Sequence, residues 1–335
     1  MNRNNSFDLI RHIAALSVLF SHQFALSGLP EPMIGLENLG TVAVVIFFSI
    51  SGFLITASWE RSPTFSVYLS KRCYRIFPAL IVCSFLMIYF LVPVFTENGL
   101  SFVLSKDSVI AFILYSCLQI KYAFVNNFSA DYIYQNLLNG SLWTLKFEFL
   151  DYMIIAAVLF NKKNTLTKSI VILAIAIALY KMSGTIFPRD YYLYKTVMML
   201  IPFAAGSVIY TSGLTKHKNW VLSLPISIAI IAASIFFHEN ASFLVGVSLL
   251  TIFIGTSIKD KVINGKFDIS YGIYIYAFPI QQVMINESGL GFYTSMLASL
   301  SLTILMAILS WNLIEKRFIY RKKANNISIS TQSVK

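Results

Sequence analysis

The chain has 335 residues, of which 57% are apolar and only 12% charged, with a mean hydropathy of +0.70. A water-soluble domain carries roughly 25% charged residues to cover its surface, and 28 Phe, 18 Tyr and 4 Trp exclude a disordered chain. Cys73, Cys83 and Cys117 have no paired or metal-like spacing, and the net charge of +11 is scattered between apolar runs instead of forming a nucleic-acid-binding arm, so the class left is an all-α polytopic integral membrane protein.

Ten stretches supply the roughly 20 mostly apolar residues that a membrane helix needs. They lie near 8–28, 40–59, 76–95, 142–160, 166–182, 191–211, 219–237, 241–258, 269–286 and 291–313. The first is read as a retained span, because Asp8, Arg11 and His12 interrupt what would be the apolar region of a signal peptide. An eleventh apolar stretch, 108–125, is ambiguous between a span, an interfacial segment and a re-entrant one. Basic residues decide against counting it, because cytoplasmic loops carry the Lys/Arg excess. With ten spans and the N-terminus inside, twenty Lys and Arg fall on the cytoplasmic side and six on the other. An extra span would turn most of the later charges outward. The expected topology is therefore about ten transmembrane helices with N- and C-termini cytoplasmic. Residues 1–320 form one membrane domain, and 321–335 form a polar, basic, disordered tail.

Ionisable residues inside spans are costly and mark candidate sites. The first span carries Asp8, Arg11, His12 and His22. Arg11 and His22 are eleven residues apart, close to three whole turns, so they share one face about 16 Å apart. Asp8 is placed to pair with Arg11, and His12 points elsewhere. The second span ends in Phe47, Phe48, Ser49, Ile50, Ser51, Gly52 and Phe53, a run that allows close helix approach or a local backbone break. Lys71, Arg72 and Arg75 precede Pro78 in what reads as a cytoplasmic loop before the third span. Arginine forks suit phosphate oxygens, although orientation by the positive-inside rule accounts for the same charges. On the opposite side, Trp143, Glu148 and Asp151 open the fourth span. An aromatic face with two carboxylates suits a sugar, whereas an aromatic belt explains Trp143 alone. The ninth span begins Ile269, Ser270, Tyr271, Gly272, Ile273, Tyr274, and the tenth closes with Ile314, Glu315, Lys316. Glu315 among cations reads as a surface ion pair, which would contribute little.

This order of motifs resembles the acyltransferase family 3 membrane enzymes. Arg-x10-His matches Arg11 and His22, and Phe-Phe-x-x-Ser-Gly-Phe matches 47–53. Arg-x-x-Arg-x-x-Pro matches Arg72, Arg75 and Pro78; Trp-Ser/Thr-Leu-x-x-Glu matches Trp143, Thr144, Leu145 and Glu148. The Ile-Ser-Tyr-Gly-Ile-Tyr and Ile-Glu-Lys blocks match 269–274 and 314–316. One departure stands in the ninth span, where many relatives carry a His and this chain has Ala277 or a neighbour.

The resemblance implies an O-acyltransferase, most often an acetyltransferase, moving an acyl group from cytoplasmic acetyl-CoA to a hydroxyl of a surface polysaccharide (O-antigen, capsule or exopolysaccharide) or its lipid-linked unit. Its partners would be acyl-CoA, that glycan and membrane lipid, with no metal and no nucleic acid. His22 would act as general base or carry the acyl group, since an imidazole titrates near neutrality. Arg11 and Glu148 complete the catalytic expectation. Arg72, Arg75, Asp8, Trp143, Asp151 and Glu315 are expected to bind substrate. A membrane transporter using Arg11 and His22 as a relay is the alternative class.

Overall fold

The computed structural model describes residues 5–135, 137–186, 191–260, 263 and 267–319. Helix dominates, as it must where lipid offers the backbone no hydrogen-bond partner. In chain order the structure has α1 (Phe7–Leu26), a two-residue antiparallel pair β1 (Met33–Ile34) and β2 (Glu37–Asn38), α2 (Leu39–Arg61) and α3 (Phe65–Leu86). A π-turn at Met87–Leu91 leads into α4 (Val92–Val94), followed by the short α5 (Gly99–Val103) and α6 (Lys106–Ser116). Then come α7 (Trp143–Val158), α8 (Thr165–Ile186), α9 (Tyr191–Ser212) and α10 (Ser223–Phe237). The last three are α11 (Asn240–Ser257), α12 (Ser270–Asn286) and α13 (Phe292–Ser310).

A helix stands at each of the ten expected positions. Among the described residues, seven helical segments are long and apolar enough to cross a membrane: Phe7–Leu26, Leu39–Arg61, Phe65–Val94, Thr165–Ser183, Lys218–Phe237, Asn240–Ser257 and Phe292–Ile319. The other three positions are held by α7, α9 and α12, of which α7 has 16 residues and α12 has 17. The ambiguous stretch is not one spanning helix. With 11 residues, α6 is about 16 Å long, half of a bilayer core of about 30 Å. Leu118, at φ 60°, breaks the segment just beyond it. Ile175, Ile228, Phe236 and Leu305 lie exposed on long helices, a surface suited to lipid and not to water. The basic tail 321–335 falls outside the described residues.

The chain divides into two compact units. The first comprises Met1–Ser21, Glu31–Phe65 and Lys146–Phe267. Its centre is the contact of α2 with α9, which small residues permit. A Cβ on Gly52 would lie 1.9 Å from the Phe203 carbonyl oxygen, and one on Gly206 would lie 2.2 Å from that of Ser49. The motif run around Gly52 thus serves close backbone approach within an unbroken α2, not a helix break. Buried hydroxyls join neighbouring helices: Ser49 to Ser248 at 2.8 Å, and Ser207 to both Thr56 and Ser169 at 2.9 Å. Ahead of α2, Glu31 accepts from Ser21 and Asn38 while Asn38 caps the Thr41 N–H at 2.7 Å, which satisfies the polar chain entry.

The second unit comprises His22–Pro30, Ser66–Leu145 and Asp268–Lys335. Here α12 and α13 approach so closely that a Cβ on Gly272 would lie 2.8 Å from Ala307 Cα. Pro279, inside α12, has no N–H for the carbonyl four residues earlier. That carbonyl, of Ile275, instead accepts from Asn139 Nδ2 at 2.8 Å and Cys83 Sγ at 3.5 Å. The segment leading into α7 is thereby fastened to the proline break.

Candidate active site

In the first unit the expected pairing of Asp8 with Arg11 forms. Arg11 Nη1 lies 3.9 Å from Asp8 Oδ1, one turn away. His12 is occupied by packing: its Nδ1 donates to the Asp8 carbonyl at 2.7 Å and its ring stacks on Phe267. Two of the motifs meet around Glu148. Its Oε1 accepts from Ser51 Oγ at 2.6 Å and from Tyr152 OH at 2.5 Å. One turn further along α7, Asp151 is buried, and its Oδ2 has no hydrogen-bond partner among the described residues. A carboxylate clamped by two hydroxyls beside a second with one oxygen unsatisfied makes a polar centre that is expensive inside a membrane protein, and this makes it a candidate functional position.

In the second unit the central group is His22. Its Nδ1 is enclosed without a hydrogen-bond partner among the described residues, and its ring stands perpendicular to that of Phe278 at 5.3 Å. An imidazole with an unengaged lone pair or N–H is able to exchange a proton with, or bond to, a substrate. Gln23, the next residue, is fully buried and accepts from Gln281 Nε2 at 3.0 Å while donating to Ser295 Oγ at 3.0 Å. In the same unit, the Thr144 and Tyr274 hydroxyls lie 2.5 Å apart, joining two further motifs. Trp143 starts α7 and is half-buried.

The basic motif differs from its expected setting. Lys71, Arg72, Arg75 and Pro78 lie within α3, not in a loop, because the helix starts at Phe65. Helical spacing puts Arg72 and Arg75 one turn apart. Arg75 Nη2 pairs with Asp268 Oδ2 at 2.6 Å, and Ser270 Oγ donates to Asp268 Oδ1 at 2.7 Å. Glu315 also differs: it is 1% exposed, and the reading as a surface ion pair is corrected. The π-turn Trp311–Glu315 turns it inward, Ser310 Oγ donates to its Oε1 at 2.9 Å, and Oε2 has no hydrogen-bond partner among the described residues. Such π-turns recur at functional positions.

The sequence marks Ser51 only as part of a packing run and gives no role to Tyr152, Asp268, Gln23 or Gln281. The signal for the glutamines was present, since an amide inside an apolar span requires a partner. For Tyr152 and Asp268 nothing local distinguished them.

These helices and their buried motif residues describe an integral-membrane protein with polar sites among its helices. The family model described as "Acyltransferase domain" matches residues 4–315, and the chain belongs to that family. It is 37% identical over 334 residues, covering 96% of this chain and 98% of the relative, to an O-acetyl transferase of Shigella phage Sf6. It is 25% identical, over 93% of this chain and 92% of the relative, to Nodulation protein 10 of Rhizobium leguminosarum bv. viciae. No solved structure matches. The protein is an enzyme, an O-acetyltransferase of multi-pass membrane type.

Proposed function

We propose that the enzyme transfers an acetyl group from cytoplasmic acetyl-CoA to a hydroxyl of a surface polysaccharide (O-antigen, capsule or exopolysaccharide) or its lipid-linked unit. The observation that carries this reading is His22, a membrane-helix imidazole with an enclosed, unengaged Nδ1, on a chain whose 37% identical relative is an O-acetyl transferase. Ten helices cross the inner membrane with both termini cytoplasmic, in keeping with twenty basic residues on one side and six on the other.

Transfer breaks the thioester C–S bond and forms an ester C–O bond. His22 takes the proton of the acceptor hydroxyl and returns it to the departing thiolate, leaving ester and free CoA. In the covalent variant the imidazole first holds the acyl group. Arg72 and Arg75 bind phosphate of the donor. Glu315 balances charge beside them. Arg11 with Asp8 supports the donor side, and Glu148, Asp151 and Trp143 line the acceptor side. The experiment that decides the reading compares surface polysaccharide from cells with and without the gene by NMR. O-acetyl signals that vanish with the gene and return with wild-type but not His22→Asn protein support it; signals unaffected by deletion refute it.

A further inference from the structure

We propose that Phe278 is the specificity-determining residue that limits the transferred acyl group to the two-carbon acetyl. The inference rests on His22 as the group that receives or activates the acyl transfer. Phe278 is 4% exposed and stands at 5.3 Å and 83° to the imidazole, so an acyl chain handled at His22 meets this ring as it lengthens.

Three features keep the ring from yielding. The proline break at Pro279 follows it directly, and the freed Ile275 carbonyl is held by Asn139 at 2.8 Å. Asn139 precedes Gly140, where a Cβ would lie 2.5 Å from Phe278 Cε2 and 2.7 Å from Cζ. Only glycine lets the backbone close on the ring this tightly. On another side Tyr134 stands perpendicular to Phe278 at 6.3 Å. The third feature is register. Phe278 and Gln281 lie one turn apart on α12, and Gln281 is tied to Gln23 at 3.0 Å, so the same turn that carries the ring is locked to the residue after His22. A wall wedged between backbone, an aromatic neighbour and a buried amide pair does not move aside for extra methylenes. In an apolar pocket one methylene changes relative rates by about 10–200-fold.

The test uses membranes from a gene-deleted host, which retain the acceptor, with the full chain supplied as wild type, Phe278→Leu, Phe278→Ala or His22→Asn. Each is given radiolabelled acetyl-CoA or butyryl-CoA, and label in the glycan is measured at equal protein level. Wild type should favour acetyl by about 10²-fold, and Phe278→Ala should raise the butyryl-to-acetyl ratio at least tenfold, with Phe278→Leu between. The proposal is overturned if wild type transfers butyryl as well as acetyl, or if the ratio is unchanged in either variant that still transfers acetyl. Loss of both donors in both variants also overturns it, because a wall alone is not needed for acetyl transfer. Normal acetyl transfer by His22→Asn would instead condemn the reading of His22, whatever Phe278 does.

Discussion

The clamp on Glu148 can be measured by a double-mutant cycle. Ser51→Ala deletes the 2.6 Å hydrogen bond and Tyr152→Phe deletes the 2.5 Å one, both to the same Oε1. The Ser51 bond joins α2 to α7, and a side-chain hydrogen bond between membrane helices contributes about 0.6 kcal/mol on average and up to about 1.7; the Tyr152 bond lies within α7, where a hydrogen bond contributes about 1 kcal/mol, and a carboxylate acceptor roughly doubles a neutral one. Each single change should therefore lower stability by about 1–2 kcal/mol. Because the two donors share one oxygen, removing the first leaves the second to satisfy it. The pair should therefore couple by at least about 0.5 kcal/mol, above the scatter expected of independent sites. Thermal unfolding of the detergent-purified chain gives the stabilities, and labelled acetyl transfer by the same samples shows whether Glu148 needs both donors. Additivity within about 0.3 kcal/mol, or single variants as stable as wild type, would refute the shared clamp.

His22→Asn keeps a polar side chain but no useful proton acceptor, so acetyl transfer should fall by about 10² or more while the protein inserts normally; a rate near wild type sinks the proposed role. Arg75→Ala removes the 2.6 Å pair with Asp268 and should destabilise by about 2 kcal/mol, the worth of a hydrogen bond to a charged group, with Arg75→Ala/Asp268→Asn recovering part of the loss. Arg72→Ala should weaken acetyl-CoA binding, and unchanged donor affinity there returns the basic motif to an orientation signal. Gly52→Ala places a methyl 1.9 Å from the Phe203 oxygen and should lower stability by at least 1–3 kcal/mol as overpacking does; an unchanged melting temperature contradicts the described α2–α9 contact. A cysteine placed in 161–165 should react with an impermeant thiol reagent only from the cytoplasmic side, and labelling from outside overturns the topology.

Some of these features could be read before any fold was known, because they depend on neighbours in the chain. Apolar runs of the right length foretold a helix at each of ten positions, and three-residue spacing brought Asp8 to Arg11. The short reach of α6 and the start of α3 at Phe65 were less legible, since a polar helical extension differs little from a loop in composition. Motif order located His22, Arg75, Glu148 and Glu315 but not their partners. Ser51 reaches Glu148 across 97 positions, Arg75 reaches Asp268 across 193, and Gln23 reaches Gln281 across 258. Sequence periodicity is a poor guide to such pairs in a membrane protein. Lipid is as apolar as the protein interior, so a span's buried and lipid-facing sides carry much the same residues. What selects the meeting faces is close contact at Gly52, Gly206 and Gly272 and the requirement that every buried amide, hydroxyl and proline-freed carbonyl find a partner, and these are properties of assembled helices only.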